Sequence, residues 1–243
     1  MNPKKTVLVS LLATALLGCN RQPDPRNLVT LPDVSASIEP QAEEEVFKAI
    51  DDLVSHLKRG DRITIIPILG DAQVEASGRI LRFEVPNNRQ AYDSDLQHFA
   101  AKLRNSLQEL KSSAMKHPGA RTDILGSISL AEQEFQSDSG SRKGLLVVLS
   151  DFIQEDNEIN FRRDRHLNSQ TAAKEFAEQI AKRDSFDLGG MPVYLGLLRS
   201  REYAGLDRSR RAGIQSFWIS YFKSLNGKPR FASDGPGLLK RYD

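Results

Sequence analysis

The eight residues Gly144-Leu145-Leu146-Val147-Val148-Leu149-Ser150-Asp151 pass without a break from an apolar run to a hydroxyl and a carboxylate. A strand with one wet face would alternate apolar and polar residues. An unbroken run fits a strand buried on both faces, as in the middle of a parallel sheet covered by helices. Ser150 and Asp151 then mark the carboxyl end of that strand, the edge where ligands of open α/β sheets bind.

On either side of this run, strand and helix patterns alternate. Upstream, Asn27-Leu28-Val29-Thr30-Leu31 reads as a short apolar strand that stops at Pro32-Asp33. Residues 40–58 place Phe47, Ile50, Leu53, Val54 and Leu57 at helical spacing, with acids early and Lys58-Arg59 late, and Gly60 ends the helix. A strand is expected over 62–69, an alternating edge strand over 79–85, and helices over 92–111 and 123–136. Downstream, a polar stretch covers 154–168, and helices over 169–183 and 209–225 bracket a strand from Pro192 to Leu198. This order predicts an α/β fold: a Rossmann-like, mostly parallel central sheet, helices on both faces and one antiparallel edge strand. The domain is expected over 27–225. The remaining 226–243, with three glycines and two prolines, reads as a C-terminal tail.

The first eighteen residues read as a targeting segment. Lys4 and Lys5 precede the apolar run Val7–Leu17, about eleven residues, too short to cross roughly 30 Å of hydrocarbon. Leu16-Leu17-Gly18-Cys19 resembles the lipobox of bacterial lipoproteins, with Leu17 a less usual middle residue. The resemblance implies that Cys19 is lipidated and becomes the first mature residue. It also accounts for an unpaired cysteine in an exported chain. Residues 19–26, with Pro23 and Pro25, form a tether. Without Lys4 and Lys5 the chain has 32 basic and 32 acidic side chains, so its charge points to no nucleic acid.

Three strand ends carry polar groups of one chemical kind. Asp33-Val34-Ser35-Ala36-Ser37 follows the first strand, Thr122-Asp123 opens a helix, and Ser150-Asp151 follows the apolar strand. Carboxylates and hydroxyls are hard oxygen donors. They suit Mg2+ or Mn2+ and do not suit zinc or copper, which favour imidazole and thiolate. The same residues also serve as ordinary turn and helix-capping groups.

Asp-x-Ser-x-Ser, a later Thr-Asp and an Asp after the next apolar strand, in that order, resemble the von Willebrand factor type A (vWA) domain. The resemblance spans about 27–225. It implies a metal-ion-dependent adhesion site in which Asp33, Ser35, Ser37, Thr122 and Asp151 hold a magnesium or manganese ion. The chain departs from the family pattern at Pro32, at Pro67 and at Arg121, where a glycine is common. Pro32 predicts that the first strand stops early or bulges.

Enzyme motifs are missing. Position 35 is Ser where a haloacid-dehalogenase-type phosphatase needs its second aspartate. No Gly-x-Ser-x-Gly elbow, phosphate-binding loop or dinucleotide fingerprint occurs. His56, His98, His117 and His166 are scattered, and the aromatic group around Trp218 fits a core. The expectation is a binding module and not an enzyme. It is lipid-anchored on the periplasmic side of a bacterial envelope. Asn20 favours the outer membrane, because it is not the aspartate that signals inner-membrane retention. The expected partner is an envelope protein offering an acidic residue to the metal, with Arg199 and Arg201 beside it. The competing expectations are an assembly lipoprotein with a vestigial site and an enzyme of unrecognised mechanism.

Overall fold

β4 (Lys143–Ser150) lies in the interior of a sheet, parallel to β1 (Arg26–Pro32) on one side and to β5 (Pro192–Leu197) on the other. This computed structural model describes residues 24–35, 37–86, 92–116, 121–138 and 142–232. Cys19, the targeting segment and most of the tether lie outside these residues. Leu146 to Leu149 are buried, as a strand covered on both faces requires.

The six strands run in the order β3-β2-β1-β4-β5-β6, where β2 is Arg62–Ile65, β3 is Leu81–Glu84 and β6 is Lys228–Ala232. Only β2–β3 is antiparallel, so β3 is the antiparallel edge that the alternating sequence predicted. α1 (Pro40–Ser55) carries the chain from β1 outward to β2. α4 (Gln170–Asp184) and α6 (Arg208–Ser224) carry it from β4 through β5 to β6 in the other direction. Right-handed crossovers in opposite directions put α1 on one face and the packed pair α4 and α6 on the other. α2 (Tyr92–Lys116) contacts α1, and α3 (Ile124–Ser137) leads into β4. A short α5 (Arg201–Gly205) follows β5 directly.

Three features differ from the sequence reading. First, β1 does not break off before Pro32: the proline is its last residue and pairs in register with Leu149. The Pro32 carbonyl accepts from the Ile68 N–H, so its nitrogen faces the β2 side. There β2 has already ended at Ile65, and no ladder donor is needed. Second, the sheet passes the expected boundary at 225: residues 228–232 of the expected tail form β6, parallel to β5. An edge strand tolerates Pro229 and its basic neighbours, which is why the stretch reads as a loop. The rest of that tail, 233–243, lies outside the described residues. Third, residues 72–76 form a turn of π-helix beyond β2, a stretch that no periodicity marks.

The aromatic group is core. Phe152, Phe161, Phe217, Trp218, Tyr221 and Phe222 are all buried between α6 and the sheet. Gly213 lets the 165–168 turn press against α6, since a Cβ there would overlap the Leu167 carbonyl.

Candidate metal centre

The strand order reverses at β1. From there the chain goes outward to β2 and β3, then returns to lay β4 on the other flank of β1. Such a switch point opens a crevice beyond the carboxyl ends of the two strands, because their following loops leave in opposite directions. Asp33 follows β1 and Ser150-Asp151 closes β4, so both carboxylates stand at that crevice.

The first loop is shaped by its own side chains. Asp33 Oδ1 accepts the Ser35 N–H at 2.9 Å, and the hydroxyls of Ser35 and Ser37 lie 2.9 Å apart. Asp33 Oδ2 accepts from the Ser150 hydroxyl at 2.6 Å, which ties the first loop to the third across the sheet. In the third loop, Asp151 Oδ1 accepts the Ile153 N–H at 3.0 Å. Asp151 Oδ2 is buried and has no hydrogen-bond partner among the described residues. Phe152, the next residue, sits at φ 62°, a left-handed conformation that a bulky side chain adopts only under constraint. The constraint is visible: Trp218 Nε1 donates to the Phe152 carbonyl at 3.0 Å, and the Phe152 ring is buried against Trp218 and Phe231.

The second loop joins through its backbone. The Thr122 N–H donates to the Glu155 carbonyl at 3.0 Å, and the Glu155 N–H returns the bond at 2.9 Å. The Asp123 N–H donates to the Leu69 carbonyl beyond β2 at 2.8 Å. Gln154 reinforces the junction. Its Oε1 accepts the N–H groups of Ile124 and Leu125 at 2.7 and 3.1 Å, and its Nε2 reaches Asp123 and Asp156. Asp33, Ser35, Ser37 and Asp151 thus form one buried or half-buried group, and buried Thr122 is bound to the third loop beside them.

A fourth loop borders the same crevice. Ser200 bridges Ile38, the Glu39 N–H reaches the Arg199 carbonyl at 3.4 Å, and the Leu198 N–H donates to the Ser150 carbonyl at 2.9 Å. Buried Ser200 caps α5 through the Tyr203 N–H at 3.0 Å. Arg199 and Arg201 project from this loop exposed, and neither makes an ion pair among the described residues. Arg162, by contrast, bridges Glu155 at 2.6 Å and Glu202 at 3.1 Å.

Electrostatics set the site apart. Burial pushes the Asp151 carboxyl up to about 7, and the charge of Asp33 adds to the rise; Ser200 and the Ile153 N–H oppose it. Burial raises Asp33 as well, against hydrogen bonds from Ser150 and Ser35 and the charge of Lys111. Two carboxylates that resist ionisation side by side, one with a bare oxygen, form a place where a cation would replace lost water. No three His, Cys, Asp or Glu side chains cluster among the described residues, so a cation here would rely on hydroxyl oxygens too. That donor set fits a hard ion such as magnesium or manganese.

Sequence reasoning missed Lys111, Gln154 and Ser200. Lys111 did leave a signal: it lies four residues after Leu107 and eight after Leu103, on the buried face of α2. Gln154 and Ser200 lie in polar stretches where no periodicity marks them.

No family model and no curated protein matches the chain. Among solved structures it is similar to von Willebrand factor type A from Catenulispora acidiphila, with 13% identity over 90% of this chain and 41% of that one, at a TM-score of 0.48. It is similar to manganese-loaded TRAP protein from Plasmodium vivax, with 14% identity, covering 79% of this chain and 62% of that one, at a TM-score of 0.37. It is also similar to the adhesive tip pilin GBS104 from Group B Streptococcus agalactiae, with 15% identity, covering 69% and 56%, at a TM-score of 0.32. The chain spans less than two thirds of each of these structures. The fold and the site rest on the strand order and the contacts described above.

Proposed function

We propose that this protein is a lipid-anchored binding module of the bacterial envelope that engages a protein partner through a magnesium- or manganese-dependent vWA-type site. The observation that carries this reading is the buried Oδ2 of Asp151, without a hydrogen-bond partner among the described residues, on a carboxyl that feels the charge of Asp33. Asp33, Ser35, Ser37, Thr122 and Asp151 would hold the ion. A bound divalent ion would offer a cationic point to a carboxylate of the partner.

The chain's own residues do the rest. Ser150 and the Ser35 N–H hold Asp33 in one orientation, and the Ile153 N–H holds Asp151. The loops around them keep bulk water from the carboxylates. Arg199 and Arg201, exposed on the rim, supply guanidinium forks for acidic groups flanking the ligating carboxylate. Lipidation at Cys19 would hold the module at a membrane, the outer one by the residue at position 20.

The test is retention of a partner from envelope extract, in magnesium and then in chelator, with wild type, Asp33→Ala and the double variant Arg199→Glu/Arg201→Glu. The reading expects retention in magnesium only, its loss in Asp33→Ala, and weaker, less salt-sensitive retention in the double variant. Retention unchanged by chelator and by Asp33→Ala would point to an assembly surface with a vestigial site.

A further inference from the structure

The side chain that grips the first loop from behind is a lysine. Lys111, near the end of α2, is buried, and its ammonium reaches Ser35 and Ile38. Nζ donates to the Ser35 carbonyl at 2.8 Å and to the Ile38 carbonyl at 2.9 Å. The Ser35 carbonyl also takes the Ile38 N–H at 3.3 Å, so one cation holds the two residues that this bond joins. The space around Lys111, bounded by Asp33, Glu43, Val46, Phe47 and Leu107, is about 10 Å³, no larger than a single water. Ammonium and loop are therefore in direct contact, with no solvent layer between them.

Burying an ammonium costs several kcal/mol unless its donors are used. Here the charges of Glu43 and Asp33 and the two carbonyls offset that cost, whereas Leu107 and Leu103, one and two turns earlier on the same helix face, are apolar. We propose that Lys111 is a positioning residue for the metal centre. It holds the Ser35 and Ile38 carbonyls so that the Ser35 and Ser37 hydroxyls stay beside Asp33. This rests on the metal reading above, yet the clamp has consequences of its own.

The experiment compares Lys111→Met with Leu107→Ala, which lightens the same cavity wall and removes no bond to the loop. Magnesium affinity is measured by calorimetry, stability in chelator by thermal melting, and the amides of residues 35–38 by hydrogen exchange. Loss of a group that orients metal ligands costs about 10- to 100-fold in metal affinity. Lys111→Met should weaken magnesium binding by at least about ten-fold and speed exchange of those amides. Leu107→Ala should lower the melting temperature and bind magnesium as wild type does. Wild-type affinity in Lys111→Met, or equal weakening in Leu107→Ala, would overturn the proposal. Should Lys111→Met fail to fold, Lys111→Gln stands in. Its amide is one bond shorter and cannot span both carbonyls, so the same two results decide. If wild type itself ignores magnesium, the metal reading fails and the clamp does not. It is then judged on exchange alone, where speeding in Leu107→Ala equal to that in Lys111→Met, or none in either, overturns it.

Discussion

Asp151 gives up its water on folding, and in return has the Ile153 N–H at 3.0 Å and the influence of the Ser200 hydroxyl. Its carboxyl is raised from 3.8 to about 7, chiefly by burial, and this fixes the sign of a pH effect. Below the ordinary carboxylate value both folded and unfolded chains hold the proton, and stability is intact. As pH rises toward 7 the unfolded chain releases it and the folded chain does not, so stability falls across that window. Asp33, raised as well, acts in the same direction. In chelator stability is expected to fall between about pH 4 and pH 7, by an amount on the order of a few kcal/mol, and the melting temperature with it. Magnesium should restore most of the loss at the upper end, and Asp151→Asn should flatten the profile. A wild-type profile flat in chelator would contradict this account of Asp151. At this scale the sequence was read unevenly. Asp and Ser at strand ends are recognisable by type and place. A buried lysine is not, because a long charged side chain near a helix end ordinarily reaches solvent.

Among the elements, α3 depends on a group outside it. Its first two N–H groups fall to Gln154, and Asp123 accepts the Gly126 N–H at 2.8 Å. Gln154→Ala would orphan two buried donors and loosen the junction of the second and third loops. The expected cost is about 1–3 kcal/mol in thermal or denaturant unfolding, with magnesium affinity reduced as Thr122 loses its footing. Loss of stability with magnesium affinity unchanged would place Thr122 outside the site. The interior strands and long helices were legible because each carries a strong period or an unbroken apolar run. β6 and α5 were not: β6 is five residues with a proline, α5 five residues with no buried side chain. Their positions follow from pairing with β5 and from the Ser200 cap, which are tertiary facts.

Across the whole molecule, the start of β1 and the site lie at opposite edges of the sheet. β1 begins at Arg26, at the amino edge, and ends at Pro32 beside Asp33. Seven residues of strand span roughly 23 Å. Cys19 lies only seven residues before Arg26, so a lipid there would hold the amino edge to its membrane while the crevice faces away. A long flexible insert before Asp24 should therefore leave magnesium-dependent partner retention unchanged. The same insert at Gly205, exposed at the end of α5 beside the crevice, should abolish it. Equal effects of the two inserts in the retention assay would mean that the partner meets another surface. Val74, in the π-turn beyond β2, is the one large apolar side chain exposed among the described residues.

The most direct measurement is calorimetric titration of metal-free protein with magnesium and with manganese, alongside Asp151→Ala. The account predicts saturable binding of one ion per chain, an accompanying rise in melting temperature, and loss of both in Asp151→Ala. No heat and no thermal shift in the wild type, or binding that survives in Asp151→Ala, would contradict it.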